Sequence, residues 1–143
     1  MTDPGLVLRR LAALQEQAAR VRARYPGSPD SLAQDSVLAD ALAMSLLVAV
    51  QEAVDICFHI VADEGWGLPA SYTDGFRALA DHGIVDAELA RQLGQLASLR
   101  NRLVHGYASV DLARLWQELP GGLEALARYG QAVARFLDAE AHE

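Results

Sequence analysis

Five polar side chains suited to a reaction at a phosphodiester lie within eight residues of this sequence. They are Arg100, Asn101, Arg102, His105 and Tyr107. Arginine neutralises and orients a phosphate, histidine exchanges protons near neutral pH, and asparagine orients a group through hydrogen bonds. At about 100° per residue along a helix, Asn101 and His105 share a face, and Arg102 lies within one turn of His105. The segment therefore carries the side chains that a metal-free reaction at a phosphodiester needs.

Arg100 occupies an unusual position in this segment. Leu89, Leu93, Leu96 and Leu103 repeat at the three- and four-residue spacing of a buried helical stripe, and Arg100 stands in the same register. An unpaired buried charge costs several kcal/mol, on the order of the free energy that stabilises a whole domain. We therefore expect Arg100 to meet a carboxylate, a partner subunit or a ligand phosphate.

The order of these residues resembles the HEPN superfamily. Arg100 is followed directly by Asn101, then by His105 and by Tyr107. More closely, the sequence resembles the HepT-like ribonuclease toxins, which are encoded beside a minimal nucleotidyltransferase antitoxin (HepT–MntA type). Segments 52–60, 71–76 and 107–111 add to the similarity, which extends from about residue 38 to about residue 119.

The resemblance implies a metal-independent endoribonuclease toxin that needs no cofactor and leaves 2′,3′-cyclic phosphate ends. The implied catalytic residues are Arg100 and His105, and the implied supporting residues are Asn101, Arg102, Asp55 and His59. Tyr107 is the implied acceptor of AMP, which a separate nucleotidyltransferase antitoxin encoded nearby would add to neutralise the toxin. RNA and this antitoxin are thus the expected partners.

One chain supplies a single well-placed histidine, whereas this reaction is best served by a base and an acid. A two-fold homodimer that joins two motif helices would supply both, as the resemblance also implies. Two other classes remain open. The chain could be a non-catalytic HEPN module that binds nucleotides or a protein, or a purely structural helical interaction protein.

The composition excludes several classes of protein. The length of 143 residues predicts one domain, which the resemblance implies is HEPN-like over residues 1–143. The net charge of −7 argues against a general nucleic-acid coat protein. Its single cysteine, Cys57, forms no internal disulfide. The apolar run 37–62 is interrupted by Gln51, Glu52, Asp55 and His59. We therefore expect a buried helix of a cytoplasmic protein without a membrane segment.

Helical periodicity and capping residues predict an all-α, up-and-down four-helix bundle with additional short helices. Asp3 and Pro4 begin the first predicted helix, and Ser31 begins a second that runs to about Asp63. Ser71 begins a short third helix, and Asp86 begins the motif helix, which continues to about Val104. A short helix from Ser109 or Asp111 to Leu119 and a last helix after residues 120–122 complete the prediction.

Polar residues on the second predicted helix allow two interpretations. Ser45, Glu52, Asp55, His59 and Asp63 fall within about 80° of one another. They form either the solvent-facing edge of a core helix or the wall of a polar groove, in which Asp55 or Glu52 pairs with Arg100. The arginines of the first helix are similarly either an RNA-contacting face or a solvated one.

Overall fold

Six α-helices and one 3₁₀ turn make up the chain, as a computed structural model of all 143 residues describes it. In order they are α1 Pro4–Arg24, α2 Asp30–Gln34, α3 Ser36–Glu64, α4 Tyr72–Asp81, α5 Ala87–Gly106, the 3₁₀ turn Tyr107–Ser109, and α6 Leu112–Ala141. Four of these helices are long and the others are short. The structure confirms the all-α prediction.

Predicted capping residues begin four of the helices, with Asp111, one of the two candidates, at the start of α6. The Asp3 carboxylate accepts a hydrogen bond from the Leu6 N–H at 3.2 Å at the start of α1. Ser71 and Asp86 accept the same bond from the residues three positions later, at 3.0 and 2.7 Å. Each bond satisfies a backbone donor that lacks a partner within its own helix, which fixes where the helix begins.

The predicted second helix is two helices, and Ser31 does not cap the long one. Ser31 lies inside the short helix α2, where its hydroxyl is 3.5 Å from the Ser28 hydroxyl. Asp35 adopts an extended conformation (φ −123°, ψ 93°) that separates α2 from α3. Its carboxylate accepts a hydrogen bond from the Leu38 N–H at 3.0 Å and so begins α3.

The predicted break at residues 120–122 is also wrong, because α6 continues through Pro120. A proline has no N–H to donate to the carbonyl four residues earlier, which here belongs to Trp116. The Tyr25 hydroxyl donates to that carbonyl instead, at 2.8 Å. The Trp116 ring stacks on Tyr25 and donates to the Pro26 carbonyl at 2.8 Å. The end of α1 therefore supplies the hydrogen bond that Pro120 removes from α6.

Helix α3 lies at the centre of the fold and contacts every other helix. By length and composition it is the one helix that could cross a membrane, but half of its most apolar stretch is buried inside the protein. Most of its Leu, Ile, Val and Ala side chains belong to a core of 37 buried hydrophobic residues. Its surroundings are those of a core helix, as its largely apolar sequence predicts.

Candidate active site

A cleft of about 520 Å³ lies between the end of α5, the 3₁₀ turn and the start of α6. Asn101, Arg102 and His105 of α5 all line this cleft, which we call the motif cleft. It is completed by Leu99, Gly106, Ser109, Val110, Asp111, Arg114, Leu115 and Glu118. The spacing of the first three residues predicted a shared face, and the fold places that face on an open cavity.

Charge in the motif cleft centres on Glu118 of α6. The Glu118 carboxylate pairs with Arg114 at 2.7 Å and with Arg102 at 3.6 Å. One carboxylate thus faces two guanidiniums close to His105, and the second carboxylate of the lining, that of Asp111, caps the start of α6. Ion pairs this exposed add little stability, so the two arginines are available to an anionic ligand. The sequence signal for this arrangement is limited to the four-residue spacing of Arg114 and Glu118.

Arg100 points away from the motif cleft and lies against Tyr72 of α4. Its guanidinium carbon is 5.9 Å from the centre of the Tyr72 ring, and its Nη1 donates to the Asn101 side chain at 3.1 Å. Arg100 forms no salt bridge, and its Nε is buried without a hydrogen-bond partner. The chain provides no carboxylate for this half-buried cation, whose partners within the chain are the Tyr72 ring and the Asn101 amide.

The hypothesis that Glu52 or Asp55 pairs with Arg100 is wrong. Both carboxylates face Arg10 of α1, at 3.4 and 3.7 Å, and Asp55 also accepts from the Gln51 amide at 3.0 Å. The polar edge of α3 therefore runs beside α1, where Arg10 forms an ion pair rather than a free basic surface.

The remaining residues of that edge lie apart from the motif cleft. His59 is half-buried on α3 and does not line the cleft, and Asp55 does not line it either. Ser45 is buried and 6% exposed. The chain holds no group of three or more His, Cys, Asp or Glu side chains placed to bind a metal ion. The supporting roles of Asp55 and His59 stay predictions.

Tyr107 begins the 3₁₀ turn and is half-buried. Burial, followed by a hydrogen bond to Asp40 and the charge of that carboxylate, raises the pKa of Tyr107 to about 12. The phenol is therefore protonated at neutral pH and directed at a carboxylate of α3. Sequence reasoning missed Asp40, because no local spacing links it to the motif.

Comparisons with known proteins assign the family. Residues 14–133 match the family described as "Ribonuclease HepT-like". The chain belongs to the HepT-like family. It is 27% identical over 107 residues to the mRNA nuclease HepT of Shewanella oneidensis, covering 75% of this chain and 80% of that protein. It is 29% identical over 92 residues to the tRNA nuclease HepT of Aphanizomenon flos-aquae, covering 64% of this chain and 63% of that one.

Solved structures share the fold of this HepT-like chain. The tri-AMPylated HEPN toxin of Shewanella oneidensis, in complex with its MNT antitoxin, superposes with a TM-score of 0.84 at 24% identity. That alignment covers 94% of this chain and 99% of the toxin. YutE of Bacillus subtilis, a cytosolic protein of unknown function, superposes with a TM-score of 0.82 at 20% identity, covering 97% and 93% of the two chains. The predicted HEPN-like bundle is confirmed.

Proposed function

We propose that this protein is a metal-independent endoribonuclease toxin that acts in the cytoplasm. The observation that carries the proposal is the placement of Asn101, Arg102 and His105 around one open cleft. These residues belong to the segment that resembles the HEPN motif, and family membership supports ribonuclease chemistry. The curated relatives are named as nucleases of mRNA and of tRNA, so RNA is the proposed substrate class.

The proposed reaction is an attack by the ribose 2′-oxygen on the adjacent phosphorus. His105 takes the proton from the 2′-hydroxyl, or donates one to the leaving 5′-oxygen. The new bond joins the 2′-oxygen to phosphorus and the bond from phosphorus to the 5′-oxygen breaks. Arg100 and Arg102 stabilise the negative charge that develops on the phosphorane. The products are a 2′,3′-cyclic phosphate and a 5′-hydroxyl.

A homodimer would supply the second proton-transferring histidine that one chain lacks in this reaction. Within one chain, His105 lines the motif cleft and Arg100 does not. A two-fold interface at this end of α5 would join the His105 of each copy, one as base and one as acid, to the Arg100 pair. It would also provide surroundings for the buried, unpartnered Nε of Arg100.

The proposed regulation is AMP addition to Tyr107 by a separate minimal nucleotidyltransferase antitoxin. Tyr107 is two residues from His105, and its phenol lies near the Asp40 carboxylate. AMP attached there adds negative charge and bulk at the end of α5 that carries the motif, and this would repel and block RNA. The AMPylated state of the Shewanella oneidensis toxin, bound to its MNT antitoxin, supports this proposal.

The test is cleavage of end-labelled total RNA by protein treated with a metal chelator. The protein is first freed of any AMP on Tyr107, as judged by intact mass. We expect the wild type to cut and to leave cyclic-phosphate ends. His105→Ala should lower the rate by about 10²-fold or more, the usual contribution of general acid–base catalysis. His142→Ala is the matched control, because His142 is exposed at the end of α6 and should leave the rate unchanged.

Growth inhibition separates this proposal from the non-catalytic alternative. The proposal requires that His105→Ala abolish toxicity in cells that lack the antitoxin. Full toxicity of that variant would contradict it and would favour a HEPN module that only binds a nucleotide or a protein. Cleavage that stops on chelation and returns with added metal would contradict the metal-free reaction.

A further inference from the structure

A second, larger groove adjoins the motif cleft and has no role in the reaction proposed above. It encloses about 920 Å³ between α4, α5 and α6. Of its 20 lining residues 6 are hydrophobic, and the others include charged and amide side chains that can bind a polar ligand. We call it the arginine groove after the four arginines on its walls, which are Arg77, Arg91, Arg102 and Arg114.

The arginine groove and the motif cleft are continuous. Leu99, Arg102, Arg114 and Glu118 line both of them. A strand whose phosphate lies beside His105 can therefore leave the cleft along the arginine groove. From Arg102 to Arg91 this path follows α5 for 11 residues, about 16 Å at 1.5 Å per residue, which is on the order of five nucleotides stacked at 3.4 Å.

Arginines outnumber carboxylates on the lining of this groove, whereas acidic residues outnumber basic ones in the chain. Its lining contains four arginines against two carboxylates, those of Asp81 and Glu118. The chain as a whole has 12 basic and 19 acidic residues. Arg77 and Arg91 are each paired with a carboxylate beside the lining, so attraction of a polyanion to the groove depends on phosphate replacing Asp74 and Glu88 as their partners.

The partners of these arginines can be exchanged for phosphate. Arg77 pairs with Asp74 at 3.1 Å, and Arg91 pairs with Glu88 at 2.5 Å, each within a single turn of its own helix. All four side chains are well exposed. Such pairs add little stability, so a phosphate can take the guanidinium without disturbing the fold.

No aromatic side chain lines the arginine groove, whereas three glutamines do, Gln92, Gln95 and Gln117. Base stacking on aromatic rings is the usual way to hold unpaired bases, and it is absent from this lining. Guanidinium and amide groups suit the phosphates and sugars of a strand instead.

We propose that the arginine groove binds the single-stranded RNA that flanks the cleaved phosphate, through its backbone and with little preference for base. The inference rests on the proposed ribonuclease function, because it uses His105 to mark the cleaved phosphate. It assigns to Arg77 and Arg91 a substrate-binding role outside the motif cleft.

The test uses the variant Arg77→Gln/Arg91→Gln and two substrates. One substrate is a dinucleotide that reaches only the motif cleft, and the other is an unstructured 12-nucleotide RNA. We expect kcat/KM for the 12-mer to fall by about tenfold, chiefly through KM, while the dinucleotide is cleaved as before. The slope of log affinity against log salt should become shallower by about 0.7 for each phosphate that an arginine no longer neutralises.

The matched control is Arg20→Gln/Arg22→Gln on α1. This variant also removes two positive charges, and neither residue lines the groove. Like the groove arginines, Arg20 is paired with a carboxylate of its own helix, that of Glu16 at 2.8 Å. This control should cleave both substrates like the wild type. An equal loss on the two substrates in the groove variant, or no loss on the 12-mer, would overturn the inference.

Binding of the labelled 12-mer to His105→Ala protein, with and without the groove substitutions, separates the two proposals. This measurement needs no cleavage, so the groove can be tested even if the ribonuclease proposal fails. Tighter binding by the protein that keeps Arg77 and Arg91 would support the inference that the arginine groove binds RNA. Equal RNA binding, with weaker binding of a nucleotidyltransferase antitoxin by the groove variant, would assign the groove to a protein partner instead.

Discussion

At the scale of single residues, burial and the nearby Asp40 carboxylate together set the pH at which the Tyr107 phenol ionises. Burial is the larger cause of the raised pKa, and the Asp40 carboxylate adds to it. Because the folded-state pKa of about 12 lies above the value of about 10 for an unfolded tyrosine, Tyr107 stabilises the fold below pH 10. That contribution is lost as the pH rises from 10 towards 12.

We predict that Asp40→Asn lowers the pKa of Tyr107, but leaves it above the ordinary tyrosine value, because burial remains. The measurement is an ultraviolet titration of the phenols, from which the curve of a Tyr107→Phe variant is subtracted. Asp138→Asn, an exposed aspartate on α6, is the control and should leave the curve unchanged. An unshifted curve for Asp40→Asn would show that burial alone sets the pKa.

At the scale of elements, the end of α1 completes α6. Tyr25 donates to the Trp116 carbonyl, which Pro120 leaves without its helical donor. We predict that Tyr25→Phe destabilises the protein by about 1 kcal/mol, the usual net contribution of one hydrogen bond. In a Pro120→Ala background, Tyr25→Phe should lower the free energy of unfolding by less, because an alanine at this position would supply the missing N–H.

A double-mutant cycle measured by urea denaturation tests this coupling. Substituting Tyr25 removes the hydroxyl but keeps the ring that stacks on Trp116, so stacking is constant across the cycle. Equal costs of Tyr25→Phe in the two backgrounds would contradict the coupling and would leave Pro120 unrelated to Tyr25.

The same contacts explain what the sequence could and could not predict. Helix starts at Asp3, Ser71 and Asp86 are predictable, because a cap and its N–H donor lie three residues apart. The shared face of Asn101, Arg102 and His105 is predictable for the same local reason. The path of α6 through Pro120 is not, because the compensating hydroxyl comes from another helix.

Partners that come from another helix were missed at the site as well. The register of α5 predicted that Arg100 would be drawn toward the interior, and it is half-buried. The sequence did not predict that Arg10 would form ion pairs with Glu52 and Asp55, because these pairs depend on how α1 packs against α3. The contact of Tyr107 with Asp40 is of the same kind.

At the scale of the whole molecule, one exposed apolar face is placed to join two copies. Val37 and Met44 are 77% and 60% exposed and lie seven residues apart on α3, so they share a face. Asp40 lies between them in the sequence and is a neighbour of Tyr107. This face is therefore close to the end of α5. Val104, the residue before His105, is 45% exposed there. A two-fold contact through these side chains would place both copies of the motif at the interface.

We predict that Met44→Glu/Val104→Glu converts a dimer into a folded monomer that no longer cleaves RNA. The charges would have to be buried against the partner copy, whereas each side chain is already solvated in a single chain, so the helical circular dichroism should not change. Sedimentation equilibrium gives the mass, and Leu68→Glu is the control, since Leu68 is 97% exposed in the loop before α4. A monomeric wild type that cuts RNA, or a monomeric variant that still cuts, would show that one chain holds a complete site. In that case no partner subunit would contact Arg100, and a phosphate of the RNA substrate would be its remaining counterpart.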